Sequence, residues 1–215
     1  MTQPQQLGFG FDQMAEEQRT AHIPSTMHEA IPYYRKLIER HNEAMLAGDV
    51  PAAMKLREEA HDLAYKLNGG DAGIKGGPDA PCYVLERVTE ALAGTIPLWG
   101  QTGEFTIDVT GMKVRVEQDG MFGVGTGSMF WPGFGAHAVD YDKPFLSETG
   151  YRSFHGAQGS VVPGITPDKY AEEMIRSYMQ RECKGKPRKI ESSYVEREMA
   201  RRAAKANPQQ QEPDL

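Results

Sequence analysis

The residues best suited to chemistry lie between positions 137 and 155, where His137, Asp140 and Asp142 are followed by His155. Imidazole and carboxylate groups can together hold a metal ion or act as a general base. His137 and Asp140 are three residues apart in a stretch without helical periodicity, and no carboxylate–histidine motif has this spacing. We therefore favour loop groups that hydrogen-bond to the backbone, with catalysis by His137, Asp140 or His155 as the alternative.

The two cysteines, Cys82 and Cys183, are about a hundred residues apart, which supports neither a disulfide framework nor a structural zinc site. Cys82 falls in the first turn of a predicted helix, where the helix dipole favours the reactive thiolate. It is therefore a candidate nucleophile. A buried structural cysteine is the favoured interpretation, because no catalytic motif surrounds it.

A glycine-rich run at residues 120–127 (GMFGVGTG) invites comparison with a phosphate-binding loop. Such a loop needs a preceding strand, a following helix and often a lysine. Here a predicted turn precedes the run, so turn and bulge glycines explain it better. Walker, Rossmann, HExxH and Gly-x-Ser-x-Gly motifs are also absent from the sequence. The sequence leans against an enzyme, and we expect neither a cofactor nor a metal.

Two further histidines, His41 and His61, lie on the two predicted helices of one hairpin. Across the short turn His41 would lie near Glu58, and His61 near Glu39. Such groups can bridge helices through a metal ion. Ion pairs on the rim of the hairpin are the simpler explanation.

The charge of the chain is divided unevenly. Residues 184–205 hold eight Lys or Arg against three Glu, a net charge of +5, which leaves −11 on the rest of a chain with a formal net charge of −6. A basic arm on an acidic body can contact nucleic acid, an acidic partner or its own body. The residues that we predict to bind nucleic acid or a partner are Lys184, Lys186, Arg188, Lys189, Arg197, Arg201 and Arg202.

Helical periodicity predicts a hairpin of two amphipathic helices at residues 26–47 and 51–67. Thr26 and Glu29 have the spacing of a capping box, and Gly48 is a typical helix end. A third helix is expected at residues 81–94, with Asp79 as its cap. Its apolar stripe would consist of Val84, Leu85, Val88 and Leu92.

The clearest β signal is the alternation of apolar and polar residues from Phe105 to Val116, interrupted by the turn pair Thr110-Gly111. A two-residue turn sets Val109 opposite Met112, Ile107 opposite Val114 and Phe105 opposite Val116, with all six on one face. A third strand is expected from Met121. A further strand could lie at residues 136–140 or 151–155, within aromatic-rich loops at residues 126–165.

Two helices are predicted after these loops, at residues 166–183 and, with a more polar composition, at residues 192–206. The order of elements indicates an α+β fold with a small antiparallel sheet. We predict a flexible N-terminal arm (1–25), a single α+β domain (26–183), and a basic helical arm with a disordered tail (184–215). No secretory signal or membrane-spanning stretch is evident, so we expect a cytoplasmic protein that does not contact a membrane.

The stretch from Phe145 to Phe154 (FLSETGYRSF), followed by residues 163–167 (PGITP), is similar to an uncharacterised family of bacterial proteins often carried near plasmid and integrative-element genes. The similarity extends over most of residues 25–190. The family has no established activity, so no site residue follows from it. The resemblance implies a bacterial cytosolic protein linked to mobile DNA.

Three hypotheses about function remain open. The first is an accessory module that binds another protein or nucleic acid through its basic arm and aromatic loops. The second is an enzyme or small-molecule-binding protein with a pocket under residues 128–155. The third is an acidic DNA mimic that inhibits DNA-binding proteins. The sequence leaves the oligomeric state undetermined.

Overall fold

The computed structural model describes residues 20–71, 73–74, 76–122, 132–156 and 161–206. These ranges form an α-helical hairpin, a short third helix, a four-stranded antiparallel sheet and two C-terminal helices, which confirms the predicted α+β class. The helices are α1 (Met27–Ala47), α2 (Val50–Leu67), α3 (Pro81–Thr89), α4 (Pro167–Arg181) and α5 (Ser192–Ala206). The strands are β1 (Gly103–Val109), β2 (Met112–Gln118), β3 (Gly133–Ala138) and β4 (Tyr151–His155), which are neighbours in that order.

The N-terminal hairpin forms where the sequence predicts it. The hydroxyl of Thr26 accepts a hydrogen bond of 3.4 Å from the amide of Glu29 and caps α1. Gly48 ends α1 in the left-handed conformation, at φ 72°. The carboxylate of Asp49 then accepts a hydrogen bond of 3.0 Å from the amide of Ala52 and starts α2. The adjacent caps reverse the chain, so the apolar stripes of α1 and α2 can pack together.

Helix α3 is shorter than predicted. It ends at Thr89 instead of Gly94, and its N-cap is Ala80, without a side-chain hydrogen bond, instead of Asp79. The carbonyl of Thr89 accepts a hydrogen bond of 2.9 Å from Nε2 of Gln101, so it has a partner outside the helix. Periodicity over residues 81–94 therefore overestimates the helix because a tertiary contact replaces its next turn.

The β1–β2 hairpin has the predicted register, with Val109 opposite Met112, Ile107 opposite Val114 and Phe105 opposite Val116. Thr110 and Gly111 form its turn, with φ angles of 56° and 84°. Two consecutive positive φ angles suit the twist of a tight hairpin. The carboxylate of Asp108 holds the turn by accepting a hydrogen bond of 2.7 Å from the amide of Gly111. The six apolar side chains lie on one side of the sheet, its inner face.

Strand β4 occupies the place expected at residues 151–155, whereas β3 starts three residues before the place expected at residues 136–140 and ends at Ala138. The strand predicted from Met121 is wrong at its start, because Met121 and Phe122 form a buried turn. The ring of Phe122 stacks on Tyr34 of α1 at a centroid distance of 5.4 Å. Residues 123–125, where that strand would have continued, lie outside the described residues, as does most of the glycine-rich run.

Helix α4 contacts the aromatic residues of the inner face. The ring of Tyr170 lies 6.2 Å from Phe134 of β3, and that of Tyr178 lies 5.6 Å from Phe154 of β4, both edge-on. These aromatic contacts add to the free energy gained by burying the rings. The opposite side of the sheet, its outer face, is polar. Its side chains are Glu104, Thr106, Asp108, Lys113, Arg115, Glu117, His137, Tyr151, Ser153 and His155.

Candidate functional site

Four of the seven cationic residues predicted to bind a partner lie in the basic loop, which comprises residues 184–189. Its backbone is fixed to the body of the protein. The amide of Gly185 donates a hydrogen bond of 2.9 Å to the carbonyl of Met179 at the end of α4. Arg188 exchanges two backbone hydrogen bonds of 2.7 Å with Phe145, which is fully buried. The loop is therefore held at a fixed place on the surface.

The side chains of the basic loop are free to meet a ligand. Lys184, Lys186, Arg188 and Lys189 are all exposed. In the part of the chain that the structure describes, none of the four makes an ion pair. Uncompensated cations at one place produce a local positive potential on a chain of net negative charge.

The other predicted cations lie on α5. Glu198 accepts hydrogen bonds from Arg201, at 2.6 and 2.7 Å, and from Arg202, at 2.8 Å. Hydrogen bonding by Arg201, together with that by Arg202, lowers the pKa of Glu198 from 4.5 to about 2. The guanidinium of Arg197 lies 5.2 Å above the ring centroid of Tyr194. Arg201 and Arg202 thus share the one negative charge of Glu198, whereas Arg197 lies over a neutral ring and keeps its full positive charge.

Arg202 attaches α5 to the sheet. Its Nη2 donates a hydrogen bond of 3.0 Å to the carbonyl of Val139, and its guanidinium lies 5.5 Å from the ring centroid of Tyr141. The basic arm therefore contacts the body of its own chain through Arg202. The body was one of the three possible partners of the arm, beside nucleic acid and an acidic protein. The sequence analysis did not predict that the carbonyl of Val139 and the ring of Tyr141, which follow β3, would contact this arginine.

Between α5 and the outer face lies a groove of about 450 Å³, the sheet groove, walled by Arg115, His137, Tyr141, Arg201 and Arg202. Nε2 of His137 lies 2.9 Å from Oε2 of Glu117, and its ring lies 4.8 Å from that of Tyr151. His137 therefore faces a cavity with one carboxylate partner, as a general base would require.

The other members of the predicted cluster do not join His137. Asp140 binds Lys143 at 2.8 Å, and that hydrogen bond lowers the pKa of Asp140. His155 lies opposite Gly133, at the far end of the β3–β4 ladder from His137. Among the residues of the described ranges, no three His, Cys, Asp or Glu side chains are placed to hold a metal ion.

Cys82 has the surroundings of a structural cysteine. Its side chain is fully buried in the first turn of α3, and Sγ donates a hydrogen bond of 2.7 Å to the carbonyl of Ile74. Cys183 is also buried, and the two cysteines are not joined in a disulfide. A nucleophile must reach its substrate, so this burial argues against catalysis by Cys82.

A buried polar pair, missed by sequence reasoning, joins the two helices of the hairpin. His41 is fully buried, and its Nε2 accepts a hydrogen bond of 3.1 Å from Nε of Arg57. Its Nδ1 lies 2.9 Å from the carbonyl of Trp99. The rim position near Glu58 expected for His41 is wrong. Since His41 follows Tyr34 and the rest of the α1 stripe at helical spacing, that stripe could have predicted its burial.

Burial affects the ionisation of both members of this pair. Loss of hydration, with the charge of Arg57 nearby, lowers the pKa of His41 from 6.5 to about 3. Loss of hydration also lowers the pKa of Arg57, to about 10. His41 is therefore neutral at pH 7, with its proton on Nδ1 and its Nε2 free to accept from Arg57. This arrangement joins α1 to α2 in the interior of the protein.

The fold and these sites describe an α+β protein with a surface-fixed basic loop and a polar groove beneath its C-terminal helix. Residues 102–204, from the start of the sheet through most of α5, match the family model described as the KlcB third domain. The chain is 40% identical over 141 residues to a Protein KlcB of Escherichia coli, a match that covers 65% of this chain and 28% of that relative. A second Protein KlcB of Escherichia coli is 32% identical over 197 residues, with 91% of this chain and 46% of the relative covered.

The chain thus spans less than half the length of the curated relatives it matches. No solved structure matches it. These matches confirm the coarser part of the expected resemblance, a likeness to a bacterial protein family. Each helix in the described ranges is too short or too polar to cross a lipid bilayer.

Proposed function

We propose that the chain is a bacterial accessory module, linked to mobile DNA, that binds nucleic acid through the basic loop and Arg197. The observation that carries this proposal is the basic loop itself, with four exposed cations in six residues and no ion pair for any of them in the described ranges. Lysine and arginine side chains bind backbone phosphates by displacing condensed counterions, and this contact needs no base-specific geometry.

The composition of the basic loop favours nucleic acid over an acidic protein partner. Protein interfaces depend on a few buried aromatic or aliphatic anchors at their centre. Residues 184–189 (KGKPRK) offer cations, one glycine and one proline, but no such anchor. Phosphates, by contrast, need only positive charge at a suitable spacing, so the loop fits the sugar–phosphate backbone better.

A charge-matched pair of variants tests this proposal by fluorescence anisotropy with labelled DNA and RNA. Replacing Lys186 and Lys189 by Gln should weaken binding at low salt by about tenfold or more, because two phosphate contacts are lost. The control is the double variant Lys36→Gln/Lys55→Gln, which removes two exposed cations from α1 and α2 and should bind as the wild type does. Equal losses in the two variants, or no binding by the wild type, would refute the proposal.

The sheet groove supports a second candidate function, the binding of a small polar molecule. Its volume of about 450 Å³ and the meeting of His137 with Glu117 and Tyr151 favour such a ligand. A thermal-shift screen with phosphorylated and carboxylated metabolites tests it. A hit should raise the melting temperature of the wild type but not that of His137→Ala. A screen in which both proteins respond alike argues against a site at His137.

A further inference from the structure

A pocket of about 430 Å³, the α5 pocket, lies beside the basic loop, between residues 141–144 and the first turn of α5. Its walls include four apolar side chains, those of Tyr141, Pro144, Ile190 and Val195. Ile190 is buried, and Tyr141 and Val195 are half-buried. A pocket of this volume, with mainly apolar walls and a few polar groups, is typical of sites that bind a small organic group.

The two chain segments that form the α5 pocket are joined by their backbones. Arg188 and Phe145 exchange two hydrogen bonds of 2.7 Å, next to the residues that line the pocket. The amide of Glu191 donates a further hydrogen bond of 2.9 Å to the carbonyl of Glu148. The pocket is therefore formed before a ligand arrives, and binding in a preformed pocket costs little conformational entropy.

Lys189 belongs both to the basic loop and to the lining of the α5 pocket. Its side chain is exposed, and it makes no ion pair with any residue that the structure describes. Lys143, which also lines the pocket, is instead paired with Asp140 at 2.8 Å. In a nucleotide the sugar joins the base to the phosphate, so a phosphate bound at Lys189 brings a base to the pocket. The α5 pocket therefore continues the proposed phosphate-binding surface.

Two carboxylates, those of Asp142 and Glu196, also line the α5 pocket. They repel a phosphate, which favours its binding at the basic loop and not inside the pocket. Carboxylates can accept hydrogen bonds from the exocyclic amino groups of bases, as they do from cytosine. An acidic protein partner would instead meet them with side chains of the same sign. The lining of the pocket therefore fits a base better than an acidic side chain.

We propose that the α5 pocket takes one unstacked base of a single-stranded nucleic acid whose phosphates bind to the basic loop. This inference rests on the proposed function and narrows its ligand to single strands. In a duplex the bases are paired and stacked, and turning one out of the stack costs free energy that a single strand largely avoids. Contacts to bases add to phosphate binding in proteins that bind single strands.

Fluorescence anisotropy with three labelled DNA oligomers of equal length tests the proposal. They are a single strand, the duplex of the same sequence, and an abasic strand, which carries the same phosphates without bases. The wild type should bind the single strand about tenfold more tightly than the abasic strand, because only the former can fill the pocket. It should also bind the single strand more tightly than the duplex, although the duplex has the higher charge density.

A charge-matched pair of variants locates the contact. Val195→Glu replaces an apolar wall of the pocket by a charge that a bound base would desolvate. The ratio of its affinities for the single strand and the abasic strand should fall close to one. Met199→Glu adds the same charge one turn further along α5, at a position that is 66% exposed, and should keep the ratio of the wild type. Circular dichroism should show the same helix content in both variants.

Equal binding of the single strand, the duplex and the abasic strand by the wild type would overturn the inference. Equal effects of Val195→Glu and Met199→Glu on the affinity ratio would also overturn it. In either case the proposed function stands if Lys186→Gln/Lys189→Gln still weakens binding. A wild type that binds none of the three oligomers would refute the proposed function together with this inference.

Discussion

Nε of Arg57 donates a hydrogen bond of 3.1 Å to Nε2 of His41 in the interior of the helical hairpin. Both side chains are buried, and the imidazole must be neutral to accept this bond. The pair thereby joins α1 to α2 and, through the carbonyl of Trp99, to the segment that precedes the sheet. These hydrogen bonds in the interior of the protein therefore require the imidazole of His41 to stay neutral.

Acid should destabilise the protein through His41. The unfolded histidine titrates at its ordinary pKa of 6.5 and the folded one at about 3, so the unfolded state binds the extra proton between these values. The contribution of neutral His41 to the free energy of unfolding is therefore complete above about pH 6.5 and is lost as the pH falls towards 3. At about 1.4 kcal/mol for each unit of pKa difference, the loss can reach about 5 kcal/mol.

Urea unfolding at a series of pH values measures this effect. The variant His41→Gln keeps one donor and one acceptor but cannot titrate, so its free energy of unfolding should fall less steeply below pH 6.5. His28→Gln, at an exposed position of α1, serves as the control and should follow the wild type. Parallel pH curves for His41→Gln and the wild type would contradict the assignment.

Replacing Trp99 by Phe should lower the free energy of unfolding by about 1–3 kcal/mol. Nε1 of Trp99 donates a hydrogen bond of 2.9 Å to the carbonyl of Ile165, and the substitution leaves that carbonyl without this donor. Tyr83→Phe removes a polar group from an exposed ring and should cost much less. Chemical denaturation of the two variants makes the comparison, and similar losses would count against the Trp99 hydrogen bond.

Glu198→Gln should loosen α5 from the sheet. The substitution removes the charge that orients Arg201 and Arg202, and Arg202 holds the helix to the carbonyl of Val139. Hydrogen–deuterium exchange at pH 7 should rise in residues 192–204. Glu196→Gln, on the exposed side of the same helix, should leave exchange unchanged. If the two variants show the same rates of hydrogen–deuterium exchange, the ion pairs of Glu198 do not hold α5 against the sheet.

Gly48→Ala should be more destabilising than Gly69→Ala, although both glycines have positive φ, at 72° and 69°. The left-handed conformation costs an alanine about 1–2 kcal/mol at either position. A Cβ at position 48 would also lie 3.0 Å from Cγ of Pro163, whereas position 69 has open space. The free energies of unfolding of the two variants should therefore differ, and equal values would show that Pro163 moves away without cost.

Local signals in the sequence were sufficient to predict the hairpins. The β1–β2 register follows from the alternation of apolar and polar residues together with the turn pair Thr110-Gly111, and all of these residues lie within one short segment. Caps at Thr26 and Asp49 likewise act within one helical turn. Such features depend on neighbours in sequence, which is why the predicted bounds of α1 and α2 agree with the structure.

Tertiary contacts explain what the sequence did not reveal. The partner of His41 is 16 residues away on another helix, and Arg202 reaches a carbonyl 63 residues before it. Helical periodicity marked Val88 and Leu92 for burial, yet both are exposed. Val88 lies within α3 but off its buried side, and Leu92 lies beyond the helix, which ends at Thr89. Composition alone identified the cationic residues. The position of Glu198 in the structure was needed to show that Arg201 and Arg202 pair with a carboxylate.

The salt dependence of nucleic-acid binding tests the central claim most directly. Each phosphate neutralised contributes about −0.9 to the slope of log K against log salt for duplex DNA, so contact by all four cations of the basic loop predicts about −3 to −4 from the loop. Replacing Lys184, Lys186, Arg188 and Lys189 together by Gln should remove that part of the slope. An unchanged slope in the quadruple variant would contradict the account.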